Sequence, residues 1–239
     1  MSVLRTRRAR IWAALAIVVA LVATFPLSLA FGLIGLKDMG VTARSLRGPV
    51  WWGGAEELRI GAVRLGTVSV FLDPFHLLIG QAQVEFIRLN NRPDDLLGAV
   101  VVGPGLRGVE RVTGSVPLGN SLASLSLTSV SFDKFSVRFS ANRCTQAEGR
   151  VRASIAATFT GLDLANGLSG DARCDGEVLL IPLVSQSGQE RIDLRVRASG
   201  AYEASTRIRS NDPVLTAALA NSGFRAANGE HVLRVSGTL

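Results

Sequence analysis

Several chemistries are missing from this chain. Histidine occurs twice, as His76 and His231, and neither is read beside a His, Cys or acidic partner, so local sequence supports no zinc site and no Ser-His-Asp triad. Cysteine also occurs twice, as Cys144 and Cys174, a spacing that rules out the C-x-x-C arrangement of redox-active pairs. No cluster of Lys and Arg interleaved with aromatics stands out, which argues against nucleic acid as a partner. No fixed-length repeat is convincing.

The motif matches that do occur lack their context. Gly103-Pro104-Gly105-Leu106-Arg107-Gly108 fits G-x-G-x-x-G, but strand-like residues 109–114 follow where a dinucleotide site needs a helix. Ser131-Phe132-Asp133-Lys134 fits S-x-x-K, yet the alternation of a strand sends Ser131 and Lys134 to opposite faces, and no Ser-Asp-Asn or Lys-Thr-Gly partner exists. Glu56-Glu57 and Asp94-Asp95 are adjacent acids whose carboxylates diverge in extended chain, as on a solvated surface. Trp51, Trp52 and Gly53 form a candidate interaction motif, with a core tryptophan beside a turn as the alternative. No residue is therefore assigned to catalysis, to a cofactor or to a metal, and the chain is read as non-enzymatic.

Charge is absent where its absence says most. From Ile11 to Leu36 there are 26 residues without a charge. As one helix they would extend roughly 39 Å, enough for the ~30 Å hydrocarbon core with some tilt. Arg5, Arg7, Arg8 and Arg10 precede the run and Lys37 alone follows it, an asymmetry that keeps residues 1–10 in the cytoplasm and sends the remainder across the membrane. Trp12 suits the cytoplasmic interface, and Gly32 and Gly35 are small residues at helical spacing suited to lateral packing. A cleaved signal peptide is the alternative, with Ser28-Leu29-Ala30 as its cleavage site. The apolar run continues past Ala30 to Leu36, which favours an uncleaved anchor over a short h-region.

This topology accounts for most of the net charge of +7. With the four leading arginines set aside, the exported part carries 22 basic against 19 acidic residues, only +3. Both cysteines lie in that part, so an oxidising compartment points to a Cys144–Cys174 disulfide, a free buried pair being the alternative. Residues 37–45 read as a polar tether and 46–239 as one domain.

Within the domain, apolar residues alternate in short runs. Residues 63–72 and 81–90 read as strands on either side of a helical turn capped by Asp73, started by Pro74 and closed by Gly80. The apolar phase slips between Leu127 and Val130, which predicts a bulge at Thr128-Ser129. Residues 177–183, 192–198 and 202–210 read as successive antiparallel strands, and His231 to Leu239 as the last. Asp212, Pro213 and Gly223 delimit one clear helix, which could cover the apolar face of the sheet. The fold class is mainly β: one N-terminal transmembrane helix, then an antiparallel, curved sheet with a few short helices.

The order of marks along the chain resembles the type II secretion system protein N family. The marks are Gly48-Pro49-Val50-Trp51-Trp52-Gly53, Leu72-Asp73-Pro74-Phe75-His76-Leu77-Leu78-Ile79-Gly80, Cys144-Thr145-Gln146-Ala147-Glu148-Gly149, Cys174-Asp175-Gly176-Glu177-Val178, Gly200-Ala201-Tyr202, Gly223-Phe224 and Val235-Ser236-Gly237-Thr238-Leu239. The resemblance implies a bitopic, non-enzymatic accessory of the secretion machine, in the inner membrane with its bulk in the periplasm, and other secretion subunits as partners. The unit from Val63 to Asn90 is also similar to the repeating unit of AsmA-like envelope proteins, which implies, as the alternative, lipid held in an apolar groove.

Overall fold

The alternation read in the sequence becomes hydrogen-bonded sheet throughout the domain. The computed structural model describes residues 2–33, 41–60, 63–88, 95–118, 127–155 and 167–238. Two helices come first, α1 (Ser2–Ala23) and α2 (Leu27–Leu33). Then follow β1 (Val41–Thr42), β2 (Ser45–Arg47), β3 (Gly53–Ile60), β4 (Val63–Asp73), α3 (Pro74–Leu78), β5 (Ala82–Arg88), β6 (Leu96–Gly103), β7 (Leu106–Pro117) and β8 (Leu127–Ser140). The second half contains β9 (Arg143–Ile155), β10 (Leu168–Asp171), β11 (Arg173–Asp175), β12 (Val178–Ser185), β13 (Glu190–Val196), β14 (Ala201–Ile208), α4 (Pro213–Asn221), β15 (Arg225–Ala227) and β16 (Glu230–Thr238).

Among the described residues sixteen strands belong to one sheet, and their pairings are antiparallel. The order is a meander. β1 and β2 share the edge beside β3, β10 and β11 share the place beside β12, and β15 lies outside β16. The expected strands, both capped helical turns and the slip at Thr128-Ser129 all occur; β8 and β9 shift register between Leu127 and Ser129. The oxygens of Asp73 and Asp212 accept the N–H groups of Phe75 and Val214, each at 2.8 Å.

Inward-facing residues of β6 to β9 meet those of β10, β12 and β13 in one cluster that includes Leu96, Val112, Phe135, Val137, Phe139, Val151, Leu179, Ile181 and Ile192. A flat sheet could not do this. Five strand spacings of about 4.8 Å separate β7 from β13 along the sheet, yet Arg107 of β7 donates to the carbonyl of Ala198, just past β13, at 3.2 Å. The sheet is curled over its own apolar face. Arg88, 2% exposed, fastens this curl on the β4–β7 side by donating to the carbonyls of Leu65 and Ser115.

The disulfide joins Cys144 of β9 to Cys174 of β11, with Cα atoms 5.5 Å apart. Ladder pairing of β9 stops at Asp171, and β11 pairs only with β12. The covalent link lies beyond the end of that ladder, between the bond from Ala172 N–H to the Gly149 carbonyl and the one from Cys144 N–H to the Glu177 carbonyl.

Three expectations are corrected. A continuous helix from Ile11 to Leu36 is not formed: α1 ends at Ala23, Pro26 follows, and α2 restarts at Leu27. A residue preceding proline disfavours helical backbone. The apolar part of α1 is thus limited to 11–23, roughly 20 Å, and among the described residues no helix is long and apolar enough to cross a membrane. Gly35 and Leu36 lie outside the described residues. The tether of 37–45 gives way to β1 and β2 from Val41 onward, because β3 offers an edge to pair with. Helix α4 does not cover the main apolar face. Its Leu215 and Leu219 pack with Ile208 and Phe224 in a separate cluster.

Two outcomes follow. Replacing Cys144 and Cys174 by serine should lower unfolding free energy by roughly 2–4 kcal/mol, measured by denaturant titration of oxidised protein against the variant. Arg88→Leu should cost on the order of 3 kcal/mol, because the Leu65 and Ser115 carbonyls lose a buried charged donor, and the midpoint of the same titration reads this directly.

Candidate functional site

Helix α1 meets the sheet at one place, and the glycine- and tryptophan-rich loop builds it. Gly48 adopts a positive φ of 84°, turning the chain after β2 so that Pro49 forms an isolated antiparallel bridge with Pro26. The Leu27 N–H donates to the Gly48 carbonyl at 3.1 Å, and the Val50 N–H donates to the Phe25 carbonyl at 2.8 Å. The Trp51 indole N–H donates to the Val22 carbonyl at 2.8 Å. Val22 lies in the last turn of α1, and its carbonyl accepts the Phe25 N–H at 3.2 Å as well as the indole. The tryptophan therefore caps the helix from the side.

Gly53 makes the close approach possible. A Cβ there would lie 2.6 Å from the Leu27 side chain and within 3.0 Å of the Arg47 and Pro49 carbonyls. The two tryptophans thus take different roles: Trp51 is half-buried against α1, whereas Trp52 is 61% exposed. The described side chains of α1 from Trp12 to Ala23, among them Leu15, Ile17, Val19 and Leu21, are all exposed. Gly32 of α2 has open space around it, while Phe31 beside it is buried. Nothing is described for the side chains of Ile11, Arg5, Arg7, Arg8 and Arg10, which lie in α1.

A second feature lies on the outer face, where a polar cavity of about 420 Å³ is lined by His76, Gln83, Glu110, Arg111, Ser136, Arg138, Gln146 and Glu148. Cross-strand register assembles it: Ser136 faces Glu148 and Arg138 faces Gln146. Its charges are largely spent on one another. Arg138 binds Glu110 through two guanidinium nitrogens, and Gln146 donates to Glu148 at 3.4 Å. His76, read from sequence as lacking an acidic neighbour, sits 2.7 Å from the Asp73 carboxylate. The helical turn brings the i and i+3 residues together, a signal visible in the spacing once the Asp73 cap is recognised. The Phe75 N–H foremost, and then His76, hold the Asp73 carboxyl below its ordinary value.

None of this resembles a reaction centre. Among the described residues, no group of three His, Cys, Asp or Glu could hold a metal ion. Ser131 and Lys134 lie in one strand, and the 103–108 glycines form a hairpin between β6 and β7. The adjacent acids Glu56 and Glu57 diverge to separate arginines, Arg47 and Arg44. The groove of the lipid-carrier alternative would need an open apolar lining, whereas the inner face is packed as core and the cavity just described is polar.

The profile of the family described as type II secretion system (T2SS), protein N matches residues 39–234. The chain belongs to this family. The match spans the sheet from before β1 into β16 and takes in the 48–53 loop that clamps α1, the disulfide and α3. Neither the curated proteins nor the solved structures contain a match. Membership of protein N places the chain in type II secretion and, as a component of that envelope apparatus, in association with its other subunits.

Gly53→Val should break the clamp without disturbing the distant core. The expected result is faster proteolysis between α1 and β3, with an unchanged rate at the disulfide-bonded strands. Equal protection in both proteins would refute the close-approach role of Gly53.

Proposed function

We propose that this chain is an accessory of the secretion apparatus anchored in the inner membrane. Its N-terminus is cytoplasmic and its sheet is held at the periplasmic surface. The observation that carries this reading is α1 itself, a helix apolar on every described side from Trp12 to Ala23 except at Thr24 beyond its end, uncovered by the domain yet gripped at its last turn by Trp51. A helix apolar all round calls for an apolar surrounding, and burying each large side chain contributes roughly 1.5–3 kcal/mol. Arg5, Arg7, Arg8 and Arg10 support the orientation. A 20 Å apolar length is short for a span. The reading therefore calls for a bilayer thinned locally around α1.

The role is structural: contacts between the periplasmic sheet and other secretion subunits. Exposed Trp52, beside the clamp, is the candidate contact residue, since large aromatics anchor interfaces out of proportion to their number.

A photoreactive amino acid at position 52, activated in intact secreting cells, tests the role. Cross-links to subunits of the inner-membrane platform or the outer-membrane pore are expected; products confined to unrelated envelope proteins would refute it. A C-terminal reporter active only in the cytoplasm would overturn the orientation.

A further inference from the structure

The strand register gives the sheet two distinct ends. Gly53, at the clamp, lies opposite Val70 of β4. Three residues further in the same direction is Asp73, which caps α3, so α3 stands at the clamp end of the sheet, about 10 Å beyond the level of Gly53. The β6–β7 turn stands at that end too, since Ala82 faces Val102 and Gly103 faces Leu106. The two tips touch: a Cβ at Gly103 would lie 3.2 Å from the Gln81 side chain and 3.5 Å from the Gly80 carbonyl.

This double tip is apolar and bare. No residue of α3 is buried. Leu78 is 83% exposed, Phe75 76% and Ile79 67%, and Val102 beside them is exposed as well. Neither 74–82 nor 96–106 contains an Asp, Glu, Lys or Arg. The nearest acid, Asp73, is occupied by the Phe75 N–H and His76. Exposed apolar groups gathered at a protrusion, with the nearest bases set behind it at Arg107 and beside the β8–β9 turn that bonds the Gly105 carbonyl, mark a contact surface.

We propose that the tip formed by α3 and the β6–β7 turn dips into the outer leaflet of the same membrane that holds α1. Phe75, Leu78 and Ile79 enter the acyl boundary, so the sheet rests on the bilayer at a second point. The occupant is phospholipid because the tip protrudes from the end of the sheet at which α1 is gripped, a continuation of the membrane contact rather than a separate face. The inference rests on the anchor reading above, but its test separates the two.

The full chain, disulfide intact, is reconstituted in vesicles of phosphatidylethanolamine and phosphatidylglycerol. Nitroxide labels are placed singly at Leu78→Cys on the tip, Ile17→Cys on α1 and Ala227→Cys on exposed β15 at the opposite end. Collision with oxygen against a water-soluble nickel chelate reports depth. Expected at position 78 is an oxygen-to-nickel ratio several-fold above that at 227 and approaching that at 17. A ratio at 78 equal to that at 227 overturns the inference, and does so with the anchor reading intact if 17 remains in lipid. Aqueous behaviour at 17 with a lipid-like ratio at 78 would support the tip contact and sink the anchor instead. Because these vesicles contain no other protein, a protein occupant of the tip would leave 78 in water and also refute the proposal.

Discussion

A sheet in which each strand bonds to its neighbour or next-but-one in sequence, with no helix layer laid across it among the described residues, can bury its apolar face only by bending over itself. That constraint shapes the rest of the molecule. It brings β7 within reach of the β13–β14 turn, and it puts Arg88 in the interior to serve carbonyls on two strands. The outer face is left to cross-strand pairs such as Arg138 with Glu110 and Arg150 with Asp171. Where the curl breaks a strand into β10 and β11, the disulfide joins β11 to β9 beyond the end of the ladder.

How much of this was legible in the sequence depended on whether the signal was local. Alternation marked the strands; Asp-Pro pairs at 73–74 and 212–213 marked both capped helices; a phase slip marked the bulge beside Thr128. These are short-range consequences of backbone geometry. Pro26 was equally visible, but the length of the uncharged run outweighed a single residue that ends α1 at Ala23. The proximity of His76 to Asp73 was overlooked because Asp73 had already been given a role as a cap, although one carboxylate serves both.

Other features were not local. Nothing in residues 213–221 says that α4 packs on Ile208 and Phe224 rather than on the main face. Nothing in 41–47 says that an edge will be free to recruit it. The doubled tryptophan was noticed, but its division of labour, one indole turned to α1 and the other to solvent, depends on the Pro26–Pro49 bridge. The family match spans the clamp loop and the disulfide together, which joins the helix-gripping end of the sheet and its covalent link in one module.

The short-range pairing has a kinetic side. Slow folding comes from contacts that must wait for distant sequence. Here each strand pairs with one made at most two strands earlier, and even the disulfide joins residues only 30 apart. A chain emerging amino end first can therefore add strands nearly in the order they appear, with β16 entering last between β14 and β15. Up to β14 the sheet so grown exposes a single advancing edge, which β16 covers with β15 outside it.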